Sequence, residues 1–384
     1  MSNMEEHNMN IPAFSPKETE VVGSYRIYPS TQAMYGEFGM TMPDFEPKFY
    51  RPITPKENLK RVLDGKTPYW LPFGGMATSD INCFMSRLIP DNCASHLVQD
   101  GGETPVIHQS LIEHSSWFDL DWEFVPAAGG ATVHPGNPKI DDMSEWEKYV
   151  KIPDLDSFDW ETFASENKEY LDTDKFNILH LLNGQWERLI SIMDVDGAAM
   201  AMIDEDQREG LVRFFDQYST FWAEFINRAA KCCNLDGVLM HDDWGHQNGP
   251  FFSPDLAREL LLPGLKKIVK ACHDNGLYYE QHSCGQNADM IDLYIEAGVN
   301  LYCPQDINDF DLLLEKAKGS DLVIGVPIPM LMPDASPEVV QEAAQKWWDH
   351  DKGNRFVLQY LFPNFTFNAI IYGMTRNYYA GMEA

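Results

Sequence analysis

The 384-residue chain is poor in basic side chains: 29 Lys and Arg stand against 59 Asp and Glu, for a formal net charge of −30 at pH 7. A field of that sign repels phosphate backbones and anionic membrane surfaces, so nucleic acid is excluded as an expected partner and the charge reads first as a solubility device. Long apolar runs are missing too. No stretch approaches the roughly 18 uncharged apolar residues of a membrane helix, and Met1 to His7 lacks the basic and then apolar pattern of a secretory signal. The expected setting is cytoplasmic, without membrane contact. Cysteine is scarce: seven residues, an odd number, with Cys232 and Cys233 adjacent. That usage fits reduced thiols better than a disulfide framework. No Gly-x-Gly-x-x-Gly opens a helix and no P-loop occurs, which leaves dinucleotide and nucleotide-phosphate folds without support.

What is present is a large apolar fraction, 44% of residues, enough for one big barrel or two ordinary domains. Residues 1–50 mix Met, Pro, Tyr and Asn without periodicity and read as an N-terminal extension lying over a folded body that spans 51–384. Thr54-Pro55-Lys56-Glu57 predicts a helix start with a capping box and proline at the first helical position; Gly65 ends that helix. Tyr69 to Phe73 reads as a first buried strand and Trp117 to Val125 as another. The charged stretch from Asp141 to Glu169 reads as a surface excursion. From Phe176 the pattern becomes regular. Ile178 to Leu182 predicts a strand, Asp204 to Cys233 a long amphipathic helix, and further strands end near His241, Cys284, Cys303, Pro327 and Phe362. Helices are predicted over Ser253–Asn275, Ala288–Ala297, Phe310–Lys318 and Pro337–Trp348. Short apolar strands alternating with helices imply a parallel sheet buried on both faces, and so many repeats favour an α/β (β/α)8 TIM barrel over an open sheet.

A barrel carries its chemistry at the C-terminal ends of its strands, and here those ends hold the unusual polar residues. Residues i and i+2 of a strand point to the same side, so His282 and Cys284 can face one pocket, where an imidazole and a thiolate suit zinc. His241 and Asp243 share a side at the end of the preceding strand, with Asp242 on the other. They are the candidate proton-handling groups, although aspartates also cap helices and a histidine is often a satisfied core residue. The following strand ends Cys303-Pro304-Gln305-Asp306. Cys303 or Asp306 could complete a metal shell, or Cys303 could pack as a small apolar group. Trp186, Trp244 and Gln305 are the substrate-side candidates.

The runs His241-Asp242-Asp243-Trp244-Gly245, Phe252-Ser253-Pro254, Pro263 to Ile268, His282-Ser283-Cys284-Gly285 and Glu296 to Asn300 together resemble the uroporphyrinogen decarboxylase superfamily, which includes zinc- and corrinoid-linked methyltransferases. The resemblance spans about residues 176–329 clearly and 53–154 weakly, and it implies a (β/α)8 barrel. The decarboxylases of that superfamily carry an arginine-rich motif after the first strand, whereas Phe73 to Asp80 holds no arginine to clamp substrate carboxylates. The resemblance therefore implies the methyltransferase branch, whose His-x-Cys zinc ligands match His282 and Cys284. That branch adds a later cysteine, and Gln359 to Phe365 has none. Cobalamin-independent methionine synthase, a related zinc barrel, adds an acidic ligand from the strand after its His-x-Cys; Asp306 stands at a comparable place here with Cys303 close by, and Glu187 is a weaker candidate. A ligand set with fewer thiolates is harder and favours polarising oxygen. The expectation is an O-demethylase component moving methyl from an O-methyl donor, such as an aryl methyl ether, to the Co(I) corrinoid of a partner protein. The alternatives are a methylcorrinoid:thiol methyltransferase of the coenzyme M type, a decarboxylase-like lyase, and a non-catalytic corrinoid-protein partner. The implied cofactors are Zn2+ and a corrinoid supplied by that partner; a small methylated substrate and a homodimer complete the expected partners.

Overall fold

The computed structural model describes residues 11–75, 80–126, 130–329, 331, 335–360 and 364–381. Eight parallel strands form the barrel: β1 (Phe73–Gly75), β2 (Ile81–Phe84), β3 (Phe176–Leu182), β4 (Gly237–His241), β5 (Tyr278–Ser283), β6 (Leu301–Pro304), β7 (Val323–Pro327) and β8 (Phe356–Tyr360). Their ladder runs β1-β8-β7-β6-β5-β4-β3-β2, so the expected TIM barrel forms with its seam between β1 and β2. Asp80 bridges that seam, its amide donating to the Phe73 carbonyl at 2.9 Å and its carboxylate accepting from the Phe73 amide at 3.0 Å and Trp70 Nε1 at 2.9 Å. All seven residues of β3 are buried, as expected of a strand with helices outside and barrel core inside.

Several elements differ from expectation for physical reasons. The first strand starts at Phe73 rather than Tyr69. The predicted strand ending in Val125 exists as Leu120–Val125, but in a separate antiparallel sheet with Ile112–Ser115 and Gly130–Val133. Its buried residues alternate, the mark of a sheet with one wet face. Strand β2 was not expected, because four residues are too few to show a period. The helix Gln185–Ile203 was also missed: its apolar residues form no clear 3.6-residue stripe, and the backbone breaks at Asp194 (φ +60), which interrupts the period. The long helix Arg208–Cys232 matches its prediction closely, and the capping box of Thr54 and Glu57 forms on the helix Pro55–Leu63. The charged excursion of 141–169 is pinned by Trp146 and Phe163, both buried, with Phe163 and Phe158 packed against Phe225 of the long helix.

The N-terminal segment wraps the barrel wall. Glu18 pairs with Arg376 near the chain's other end at 2.8 Å. The hairpin Val21–Arg26 with Phe45–Phe49 is braced just before β3, where Tyr25 bonds Asp174 at 2.7 Å, Lys48 pairs Asp174 at 2.7 Å and Glu46 pairs Lys175. The helix Pro29–Glu37, α1 from here on, then reaches the stretch beyond β2, where Ser30 donates to the Asp100 carbonyl at 2.9 Å. No helix among the described residues is long and apolar enough to cross a membrane.

Candidate metal centre at the barrel mouth

Strands β4 and β5 are register neighbours, with His241 opposite His282, so their inward side chains leave the sheet at one level. The two imidazoles lie 4.4 Å apart between ring centroids. Past the strand ends, alternation returns Asp243 and Cys284 to the same side. His241, Asp243, His282 and Cys284 each offer a ligand atom, and all these atoms lie within 4.8 Å of one another. His282 Nε2 is 3.3 Å from the Cys284 sulfur, and a hydrogen bond to the Cys303 backbone also reaches the His282 ring. A backbone partner of this kind fixes the orientation of a metal-binding imidazole. Asp243 accepts the Cys284 amide at 2.6 Å, which locks one pair of donors to the other.

Backbone packing holds the two loops together. Gly285 sits at φ +79, and a Cβ there would meet the Gly245 carbonyl carbon at 2.0 Å, so only glycine allows this approach. Behind the donors, Asp242 points the other way and caps the helix Gln185–Ile203, accepting the Glu187 amide at 3.0 Å and Trp244 Nε1 at 2.7 Å. Gly184 leaves room for it, since a Cβ there would lie 2.2 Å from the Asp242 side chain. The cap delivers Glu187, in the helix's first turn, onto His241 Nδ1 at 3.1 Å.

The electrostatics are those of a crowded, poorly solvated cluster. Burial pushes the Glu187 carboxyl up to about 7, with the His241 charge opposing it. Burial lowers His241, but Asp243 and Glu187 win and raise it to about 10. His282 falls to about 4 through burial and the nearby His241 charge. Burial raises Asp243, yet the charges of His241 and His282 with the Cys284 amide hold it below the usual carboxylate range. Burial and Asp243 together push the Cys284 thiol up. A divalent cation among these donors would reverse the Cys284 shift, because thiolate is the form that ligates. Two imidazoles, a carboxylate and a thiol fit zinc by number and type. Two polar atoms beside the group lack partners among the described residues, Glu187 Oε2 and His180 Nε2.

The other expected residues lie apart from this group. Cys303 is buried inside the barrel, its thiol bonded to Glu280 and 2.9 Å from where a Cβ of Gly325 would stand. Asp306 is exposed on the loop after β6, and its charge helps to raise Cys284. Neither joins the four converging donors. Gln305 accepts the Gly285 amide at 2.9 Å and so supports the metal-side loop. Trp186 and Trp244 are fully buried against Phe252, with Trp186 also on Phe251. They brace the strand ends from behind. The segment with no late cysteine, Gln359 to Phe365, falls partly outside the described residues, as does Phe73 to Asp80. His180 went unnoticed in the sequence. Its signal was there: a histidine amid the apolar run Phe176–Leu182, two residues before Leu182, which pairs with His241, and its ring stacks 6.1 Å from that of His241.

No family model and no curated protein matches the chain. Among solved structures, the barrel is similar to a methyltransferase from Methanosarcina mazei, with a TM-score of 0.57 and 14% identity over 85% of this chain and 99% of that one. A B12-independent methionine synthase from Shewanella sp. W3-18-1, solved in complex with selenomethionine, aligns at a TM-score of 0.38 and 10% identity over 66% of this chain and 70% of that one. The first of these establishes the likeness in fold.

Proposed function

We infer that the chain is a zinc-dependent methyltransferase of the corrinoid-linked kind, taking methyl from an O-methyl donor and delivering it to the Co(I) corrinoid of a separate protein. The observation that carries this reading is the convergence of His241, Asp243, His282 and Cys284 at the mouth ends of adjacent barrel strands, the place where barrels do chemistry. The resemblance to the uroporphyrinogen decarboxylase superfamily and the barrel's likeness to the Methanosarcina methyltransferase support it. A zinc ion held by His282, Cys284 and one of His241 and Asp243, with its fourth position left for the substrate, would supply Lewis acidity toward a leaving oxygen, a single thiolate among harder donors suiting that role better than a thiolate-rich shell.

The expected division of labour shifts with the geometry. His241 and Asp243, first read as proton-handling groups, become ligand candidates. Glu187 takes over the proton role: its Oε1 lies on His241 and its Oε2 has no partner among the described residues. As the methyl carbon–oxygen bond breaks, the electron pair stays on oxygen, and Glu187 would hand that oxygen a proton. Asp242 keeps Glu187 in position through the helix cap. With Trp186 and Trp244 buried, a flat aromatic wall is not the argument for the donor, so arene and alkyl ethers are separate arms of the test.

The test is metal analysis followed by methyl transfer to a reduced corrinoid protein from a methoxyarene, an alkyl methyl ether and, in reverse, to a thiol. The wild-type chain should hold about one zinc at this site, and Cys284→Ala should lose both that zinc and transfer while keeping its circular dichroism. A folded Cys284→Ala variant with unchanged zinc content would overturn the site. Transfer with thiol alone would move the reading to the coenzyme M type of reaction.

A further inference from the structure

A second group of metal-binding side chains lies away from the barrel mouth, and we propose that Glu37, His96 and His108 form a peripheral zinc site tying α1 to the barrel. Their ligand atoms lie within 4.8 Å of one another. Glu37 closes α1, His96 follows the short helix Pro90–Ala94 beyond β2, and His108 sits in the irregular stretch before the antiparallel sheet. Three segments far apart in sequence thus deliver two imidazoles and a carboxylate to one point, the donor set that zinc takes with water in the fourth position.

The details favour an ion over simple packing. His96 Nδ1 is 2.7 Å from Glu37 Oε2, so a shared tetrahedral zinc needs these atoms to part by about 0.6–0.9 Å, given bond lengths of about 2.0–2.2 Å to each. The His96 side chain is 3% exposed and that of Glu37 26%, which gives a fixed inner ligand and an outer one open to solvent. His96 is held at φ +62, a conformation disfavoured for residues with a Cβ. Its buried Nε2 has no partner among the described residues, so the ring's placement is not explained by satisfying both nitrogens. The ring is clamped flat, with Phe124 at 4.6 Å and His108 at 3.6 Å between centroids, each within 11° of parallel. The stacked His108 must swing out of that plane to aim a nitrogen at the ion. Its half-buried position outside any helix or strand permits this.

Bound zinc would act as a staple for α1, which otherwise meets this wall through Met34, Tyr35 and Leu97 and the Ser30–Asp100 hydrogen bond. The experiment is equilibrium dialysis of the full chain against zinc chloride, with metal analysis of wild type, Glu37→Gln and His108→Ala, each made also in a Cys284→Ala background. Glu37→Gln keeps the shape and a hydrogen bond to His96, so it guards against a folding artefact. Both variants should hold about one zinc fewer than their parent in either background, and in the Cys284→Ala background added zinc should raise the Tm of the parent and not of the variants. Equal zinc content in parent and variants would overturn the proposal. The mouth site is read separately, by whether Cys284→Ala itself loses an ion.

Discussion

Two buried clusters of charge sit at different ends of the molecule and resolve their charge in opposite ways. Near the chain termini, the Glu18 carboxylate accepts Arg376 Nε at 2.8 Å and Nη2 at 3.0 Å, and also the Tyr372 hydroxyl. Arg376 spends its remaining donors on the carbonyls of Tyr69 and Pro12. Every side-chain nitrogen of Arg376 and both carboxylate oxygens of Glu18 thus have a partner, and nothing further is asked of a ligand. At the mouth, His180 Nε2 and Glu187 Oε2 lack partners among the described residues, and four donors crowd together with their protonation pulled in opposite directions. Desolvated polar groups without partners are costly. A fold that fully satisfies one buried cluster and leaves another open marks the open one as a place for something else to bind.

The largest effect should come from breaking the closed cluster. Arg376→Ala leaves Glu18 buried and unpaired, and urea unfolding should show a loss of about 3–5 kcal/mol, the usual cost of removing one partner of a buried pair. A loss below about 1 kcal/mol would erase the contrast between the clusters. Acid should act next. Burial alone would raise the Glu18 carboxyl, but the hydrogen bonds of Arg376 and Tyr372 outweigh it and hold it low. Its contribution is therefore complete above the unfolded glutamate value of about 4.3 and is lost as pH falls through the lower folded value. Glu18→Gln should accordingly show a flatter decline of stability than wild type across that acid window in paired denaturation series. At the mouth, Cys284→Ala measured with both chains stripped of metal by a chelator should change unfolding free energy by no more than about 1 kcal/mol, since a single half-buried thiol is not what folds a barrel of this size. The smallest effect is expected from His180→Leu: deleting an unpaired buried nitrogen offsets the change in packing, and stability should stay within about 0.5 kcal/mol or rise. A loss of several kcal/mol there would show that the imidazole is satisfied after all.

The mouth cluster was more legible in sequence than its surroundings. His282 and Cys284 share a strand face by simple alternation, and so do His241 and Asp243; those pairs needed no knowledge of neighbours. Strand β5 has β4 on one side and β6 on the other, and the local pattern does not say which neighbour's loop turns inward, so Asp306 and Cys303 were favoured where Asp243 stands among the converging donors. The choice between β4 and β6 as the source of another donor depends on the exit angle of each loop, and Gly245 against Gly285 sets that angle. Much of the barrel showed through runs buried on both faces, as in β3. The stretch at Leu120–Val125 misled for the opposite reason: it has strand composition with one wet face, and composition does not say which sheet a strand joins. Glu187 was only a weak candidate, since its position depends on an aspartate cap reached across two barrel strands.

The pairing of Glu18 with Arg376 also sets a timetable. The two residues are 358 positions apart, and β1 completes its ladder only with β8. A chain emerging from the ribosome therefore carries Glu18, and the first barrel strand, without their final partners until Arg376 and β8 have been made. Contacts of such long sequence separation form late and slow the whole process. The helix Phe365–Tyr379, which carries Arg376, is then the latch, and nascent chains halted before it should be held open, with the barrel seam a target for chaperones and proteases.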